Sequence, residues 1–227
     1  MKKILAIVAH PDDEVLGLGG TLCKHVNMGH ETKVLILSDG ESSRNFSTED
    51  QLKSAIDKRK NAACSAGKII GYGEPLFGSF KDNSFDSSNL LDIVKFIEHV
   101  VEDFVPNVIY THCSHDLNID HQITNEAVIV ASRPKAKSSI EAVYAFETLS
   151  STEWSFNKRR SFQPNLFINI ESEMDKKLQA LKCYDNEMLS APNSRSYEAV
   201  QVLGKRRGFQ VGIPCAESFE VIREIKK

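Results

Sequence analysis

The sequence predicts an α/β layer fold with a mainly parallel sheet. Three observations carry this: short runs rich in Ile, Leu and Val recur along the chain, helix-like segments separate them, and 227 residues suit one layered domain. The first run, "ILAIVA" (Ile4–Ala9), reads as a buried strand. Glu14 to Met28 has helical spacing and ends at Gly29, a residue suited to a C-cap. "KVLILS" (Lys33–Ser38) is the next strand, and Leu52–Ala66 reads as a second helix stopping at Gly67. Leu90–Phe104 is a third helix, with Ile93, Val94, Ile97, Val100 and Val101 at helical intervals. After Pro106, "NVIYTH" (Asn107–His112) is a strand, and Ile123–Ala131 resumes helix. "EAVYAF" (Glu141–Phe146) and "NLFINI" (Asn165–Ile170) resume strand, and helix returns over Glu173–Met188 before a final mixed segment. Gly40–Asp50, Lys81–Asn89 and Ser150–Pro164 read as long loops, a length that often serves function in a compact domain.

Composition narrows the function. Lys and Arg number 28 against 31 Asp and Glu, a net charge of −3, which argues against a general nucleic-acid binder. The apolar runs are strand-sized, so no membrane span is expected, and "ILAIVA" is short for a signal-peptide core. Five scattered cysteines without a C-x-x-C pair suit neither a disulfide framework nor a structural zinc site, and a cytoplasmic protein is expected.

Two polar clusters stand out. His10-Pro11-Asp12-Asp13-Glu14 follows the first strand directly, and "THCSHDLNIDH" (Thr111–His121) overlaps the end of the strand Asn107–His112. Ligands of open α/β sheets gather beyond the carboxyl ends of the strands, so both clusters are expected on one edge. Crowded acids repel, and buried ones must be paired, hydrogen-bonded or metal-bound. His10, Asp13 and His121 offer imidazole nitrogen and carboxylate oxygen to a divalent ion, and three protein ligands leave a position open for water. If Asp13 takes the metal, Asp12 can reach the bound water as general base. Glu14 then starts the helix, where an acid suits the dipole. Taken alone, the same residues also read as plain N-capping, and His112, His115 and His121 as solvated loop residues. Asp116, Asn118 and Asp120 beside them look like support for a site.

"AHPDDE" (Ala9–Glu14) paired with "NIDH" (Asn118–His121) resembles the PIG-L (LmbE-like) family of metal-dependent de-N-acetylases. "SSTEW" (Ser150–Trp154), "PNLFINI" (Pro164–Ile170), "LKCY" (Leu181–Tyr184) and "AESF" (Ala216–Phe219) extend the likeness over most of the chain, read as one domain over residues 1–227. The resemblance implies a Rossmann-like α/β fold with helices on both faces of the sheet. It implies one Zn²⁺, with Fe²⁺ or Co²⁺ as alternatives, held by His10, Asp13 and His121, and Asp12 as base for the zinc-bound water. It implies hydrolysis of an acetamido group on an N-acetylglucosamine-like sugar, a small-molecule substrate, and self-association is frequent in the family. The family's second motif commonly reads His-x-Asp-His, its first His polarising the amide carbonyl. Asn118 stands there, and it can donate a hydrogen bond but supplies no proton as imidazolium does. Either Asn118 serves as a neutral donor, or His115 or His112 takes the role, with Asp120 orienting a ligand or that donor.

Other residues carry two readings each. Arg59 falls about where the family places a substrate-binding arginine, yet "DKRK" also suits a solvated helix face. Trp154 could stack on a sugar or pack against the domain. Glu147 and Glu153 could bind hydroxyls or be ordinary surface acids. "GKRRG" (Gly204–Gly208) could meet a phosphate or form a basic helix end. "GLGG" (Gly17–Gly20) lies inside the first helix and lacks the full G-x-G-x-x-G spacing, so close helix–sheet packing explains it better than a dinucleotide. Three rivals accompany the deacetylase: a metal- and carbohydrate-binding relative without catalysis, a deacylase of a non-sugar amide, and a two-His-one-carboxylate iron oxygenase, which the α/β reading disfavours.

Overall fold

The computed structural model describes residues 1–136, 138–156 and 161–226. Seven strands form one sheet: β1 (Lys3–Val8), β2 (Glu31–Ser38), β3 (Leu76–Phe80), β4 (Val108–His112), β5 (Ala142–Phe146), β6 (Leu166–Asn169) and β7 (Ala216–Glu224). Their spatial order is β3-β2-β1-β4-β5-β7-β6, parallel from β3 to β5 and antiparallel at β7 and β6. Six helices connect or flank them: α1 (Asp13–Asn27), α2 (Glu49–Ile70), α3 (Leu90–Phe104), α4 (Ile119–Ala131), α5 (Met174–Leu181) and α6 (Tyr197–Phe209).

Strand alternation in β1 divides the core. Ile4, Ala6 and Val8 face a cluster with Val15, Leu18 and Leu22 of α1 and Ala63 and Ile70 of α2. Leu5 and Ile7 face the other layer, with Ile93 and Ile97 of α3 and Val128 of α4. A strand buried on both faces is apolar at every position, which is why "ILAIV" shows no period of two. β1 and β4 are neighbours at the point where the strand order reverses, the place where open α/β sheets open a crevice at their carboxyl ends.

Several boundaries differ from the sequence reading. Gly67 does not stop α2: a Cβ there would lie 2.0 Å from the Gly73 carbonyl oxygen, so that glycine serves close packing, and Gly71 at φ +105° ends the helix. The helix read from Ile123 begins at Ile119, and Glu173–Met188 is α5 followed by a 3₁₀ turn over Lys182–Glu187. β3 and β7 escape the pattern because "LFGSF" is a short edge run broken by Gly78 and Ser79, and β7 alternates apolar residues with Glu217, Glu220 and Arg223. Of the third expected loop, residues 157–160 lie outside the described residues.

Helix α1 breaks at Leu18 (φ −146°, ψ 21°). Gly20 N–H and Leu16 C=O would be partners in an unbroken helix. Here Gly20 N–H donates to Glu217 Oε1 at 3.0 Å, Thr21 N–H donates to Glu217 Oε2 at 2.6 Å, and Lys177 Nζ donates to Leu16 O at 2.8 Å. Lys177 and Glu217 close the arrangement as an ion pair of 2.6 Å, each about 5% exposed. The "GLGG" glycines pack as expected from close helix–sheet contact: a Cβ on Gly17 would meet Phe146 at 2.2 Å, and one on Gly20 would meet Ile170 at 2.8 Å.

Away from these features, His25 Nδ1 lies 2.9 Å from His30 Nδ1, and His25 Nε2 lies 2.9 Å from the Tyr110 hydroxyl. Burial, with the nearby His30 and Lys2, pushes His25 down to about 4. Between the unfolded value of about 6.5 and about 4, only the unfolded chain takes up this proton, so His25 costs stability as pH falls through that window. The expected result is that His25→Gln flattens the acid side of the stability curve by about one proton, on the order of 3 kcal/mol over the window. Urea unfolding at a series of pH values checks this; parallel curves for the two proteins would refute it.

Candidate metal centre

The turn after β1 is built to free its acids. Asp12 occupies the N-cap of α1 with φ 117° and ψ −26°, a left-handed backbone that costs a non-glycine residue of order 1–3 kcal/mol. Its carbonyl accepts Val15 N–H at 3.0 Å and Leu16 N–H at 2.9 Å, but its side chain makes no cap bond. The capping reading of these acids is thereby replaced: the backbone caps and the carboxylate is left for the site. Glu14 does more than start the helix. Wholly buried, it accepts Asp12 N–H at 3.0 Å and the hydroxyls of Tyr184 at 2.6 Å and Tyr72 at 3.2 Å, pinning the strained turn. Burial raises its carboxyl to about 7 despite those bonds.

Three atoms converge beyond β1 and β4. His10 Nδ1 lies 3.2 Å from Asp13 Oδ2 and 3.1 Å from His121 Nε2, and His121 Nε2 lies 3.2 Å from Asp13 Oδ2. A tetrahedral ion with ~2.05 Å bonds has ligand–ligand edges of about 3.3 Å. The triangle fits such an ion, and its donor set suits a divalent transition metal. Burial alone would push both histidines toward the neutral form. Instead Asp120 and Asp13 raise His10 to about 10, and Asp13 and Asp116 raise His121 to about 9. Asp13 is buried too, yet His121 and His112 hold it well below the usual carboxylate range. Such a density of mutual charge is what a cation would replace.

Each imidazole of the triangle is oriented from behind. His10 Nε2 faces Asp120 Oδ2 at 3.1 Å and Asp82 Oδ1 at 3.3 Å. Asp120 is fixed in turn by Phe85 N–H, which donates to its Oδ1 at 2.9 Å. His121 Nδ1 lies 3.1 Å from Asp116 Oδ1, and Asp116 accepts the hydroxyls of Ser151 and Thr152. Carboxylates behind ligating imidazoles set tautomer and orientation. Asp120→Asn is therefore expected to weaken metal affinity about 10–100-fold, measurable by competition with a chelator of known affinity. An unchanged constant would remove Asp120 from this role.

The cavity over the triangle measures about 160 Å³. Asp12 lines it, 3% exposed, with Oδ2 accepting Arg195 Nη2 at 2.6 Å and lying 3.7 Å from Arg59 Nη1, while Oδ1 has no partner. Burial raises the Asp12 carboxyl above its ordinary value against the pull of Arg195 and Arg59. Arg59 also lines the cavity, only 6% exposed, bound to Glu41 at 2.8 Å and to Glu187. It is not a solvated helix residue.

The other sequence candidates divide. Asn118 lines the cavity as N-cap of α4: its Oδ1 accepts Asp120 N–H at 2.8 Å and its Nδ2 donates to Asn83 Oδ1 at 3.0 Å. His112 is sealed beneath the site, accepting Ala9 N–H at 2.9 Å and stacked on His121 at 3.8 Å, and burial pushes it down to about 4. His115 points to Ser114 and Trp154 is 39% exposed; neither lines the cavity. Glu147 holds Arg207 through two bonds of 2.6 and 2.5 Å, so "GKRRG" is a basic end of α6 braced by an acid. Glu153 accepts Ser150 N–H at 2.6 Å. The sequence reading missed Arg195, Asp82 and Glu187. Each lies in a loop or turn with no motif around it, and Arg195 is 183 positions from Asp12.

The family described as PIG-L, GlcNAc-PI de-N-acetylase, matches residues 5–132. The chain belongs to the PIG-L family. Among curated relatives, this PIG-L chain is 28% identical over 187 residues to the uncharacterized deacetylase YaiS of Escherichia coli, covering 80% of this chain and 89% of the relative. It is also 28% identical over 206 residues to a 4-oxalmesaconate hydratase of Pseudomonas putida, covering 80% of this chain and 72% of that one. In fold it is similar to N,N'-diacetylchitobiose deacetylase of Pyrococcus horikoshii, at TM-score 0.78 and 18% identity over 98% of this chain and 84% of that one. The Rossmann-like α/β expectation stands, with an antiparallel β7–β6 edge that the sequence did not announce.

Proposed function

We propose that this PIG-L protein hydrolyses the N-acetyl group of an N-acetylglucosamine-like sugar or sugar conjugate, releasing acetate and a free amine. One observation carries the reading: a metal-fitting triangle of His10, Asp13 and His121 shares a small polar cavity with Asp12, a buried acid whose Oδ1 has no partner. A divalent ion held by those three residues, Zn²⁺ in this reading with Fe²⁺ or Co²⁺ as alternatives, supplies a Lewis acid for the amide carbonyl and makes water nucleophilic near neutral pH. The chain's own residues do the rest. Asp12 Oδ1 accepts a proton from the attacking water and returns it to the leaving nitrogen, and its raised basicity suits that shuttle. Arg59, backed by Glu41 and Glu187, holds the side of the cavity where the sugar would rest. Among the described residues no helix is long and apolar enough to cross a membrane, and five unpaired cysteines suit the cytoplasm, where we place the enzyme.

Acetate release from N-acetylglucosamine, its phosphates, diacetylchitobiose and simple acetamides tests the reading, each with metal-loaded and chelated protein. The expected result is chelator-sensitive release from sugars above that from simple amides. An unsaturated dicarboxylic acid belongs in the panel because one relative is a hydratase. Loss of its absorbance with no acetate from any amide would overturn the deacetylase reading in favour of hydration.

A further inference from the structure

Resting on the deacetylase reading, we propose that Arg195 is a catalytic residue, the cationic donor that stabilises the oxyanion formed when the amide is attacked. Attack on an amide carbonyl moves a negative charge onto its oxygen, and a prearranged donor there is commonly the largest single contribution to rate. The cavity offers few donors that are not already committed. Arg59 is bound to Glu41 and Glu187, and Arg44 to Glu187 at 2.7 Å and Glu41 at 3.4 Å. Ser43 donates to Asp82, Ser151 donates to Asp116, and the Asn118 amide donates to Asn83. His10 and His121 belong to the ligand triangle.

Arg195 differs. It lines the cavity with its side chain 25% exposed, and it uses Nη2 on Asp12 Oδ2 at 2.6 Å and Nη1 on Ser150 Oγ at 3.3 Å. A guanidinium has five N–H donors, so most remain, and its Nε is buried without a partner. Its backbone is held on both sides: Arg195 N–H donates to Asn193 Oδ1 at 2.8 Å, its carbonyl accepts Leu189 N–H at 2.8 Å, and Ser196 next to it caps α6. The cation is thus anchored to the base itself. A carbonyl carbon about 3 Å from a water on the Arg195 side of the Asp12 carboxylate lies within reach of this guanidinium.

The step balances with water as the only co-reactant. Water oxygen bonds to the carbonyl carbon as its proton passes to Asp12, and the π pair of the C=O moves to the oxygen facing Arg195. The C–N bond then breaks, the C=O re-forms, and Asp12 hands its proton to the departing nitrogen. Acetic acid and amine leave, the acid gives its remaining proton to solvent to become acetate, and Arg195 keeps all its protons throughout.

The test uses metal-loaded full-length protein as native chain, Arg195→Met, Arg195→Lys, and Arg195→Met in an Asp12→Asn background. Acetate release gives kcat and KM. Calorimetry gives the affinity for glucosamine N-methylphosphonamidate, whose tetrahedral anion imitates the oxyanion, and for N-acetylglucosamine. Arg195→Met is expected to lower kcat about 10²–10³-fold with KM changed no more than about threefold, and to weaken the phosphonamidate by a similar factor. Arg195→Lys keeps the charge beside Asp12 and is expected to restore about a tenth of the loss or more. The Asp12→Asn background separates direct from indirect action. There, Arg195→Met still weakens the phosphonamidate if the guanidinium touches the oxyanion, and an unchanged affinity overturns the proposal. Native protein that releases acetate while Arg195→Met does so equally well overturns this inference alone. Native protein that releases no acetate from any amide overturns the deacetylase reading and this inference with it.

Discussion

Asp12→Asn is expected to lower acetate release about 10²–10⁴-fold while the protein still binds one divalent ion per chain. The substitution keeps size and the left-handed N-cap backbone, whose bonds to Val15 and Leu16 come from the Asp12 carbonyl and not from its side chain. The triangle of His10, Asp13 and His121 is untouched, so metal content measured by mass spectrometry should not change. What disappears is the proton acceptor at Oδ1, the one oxygen of this carboxylate without a partner. Loss of activity together with loss of metal would mean that Asp12 holds the site and does not act as base. Activity within a few-fold of native would end its role altogether.

The second large effect is on stability. Glu217→Ala leaves Lys177 buried without its counter-charge and strips Gly20 N–H and Thr21 N–H of their acceptor. Breaking one partner of a buried pair costs about 3–5 kcal/mol, and for a chain of this size that lowers Tm by roughly 10 °C. Lys177→Met is expected to fall in the same range because Leu16 C=O loses its donor. The double replacement Lys177→Met with Glu217→Leu removes the stranded charge and should recover part of the loss. It cannot recover all, since the backbone groups opened by the kink at Leu18 stay unpaired. Thermal and urea unfolding of the three variants decides this, and single variants within about 1 kcal/mol of native would refute it.

Reading the strands β1, β2, β4 and β5 from sequence succeeds because they are covered on both faces and so appear as unbroken apolar runs. β7 is hidden because Glu217, Glu220 and Arg223 interrupt it, and Glu217 is there to cap a broken helix 196 positions away. Helix α4 begins four residues earlier than its apolar spacing suggests, since Asn118 caps it and its first turn carries Asp120 and His121. The candidate triangle is legible for a related reason: His10 and Asp13 share one turn, and His121 lies close behind a second strand end. Arg59 illustrates the reverse. "DKRK" by itself suits a solvated helix face and only the family resemblance marked the arginine for the site, yet Glu41 and Glu187 neutralise it and allow its burial.

The sequence by itself determined the α/β class and the edge of the sheet where His10, Asp12, Asp13 and His121 come together. Those follow from local pattern, because strand ends and the turns after them are written in adjacent residues. Only the tertiary structure decided that Arg195 closes on Asp12, that Asp82 joins Asp120 behind His10, and that Lys177 and Glu217 repair the kink in α1. Each depends on charges brought together from distant parts of the chain. A buried charge is tolerated only when a specific partner meets it, and that partner can come from any loop the fold delivers.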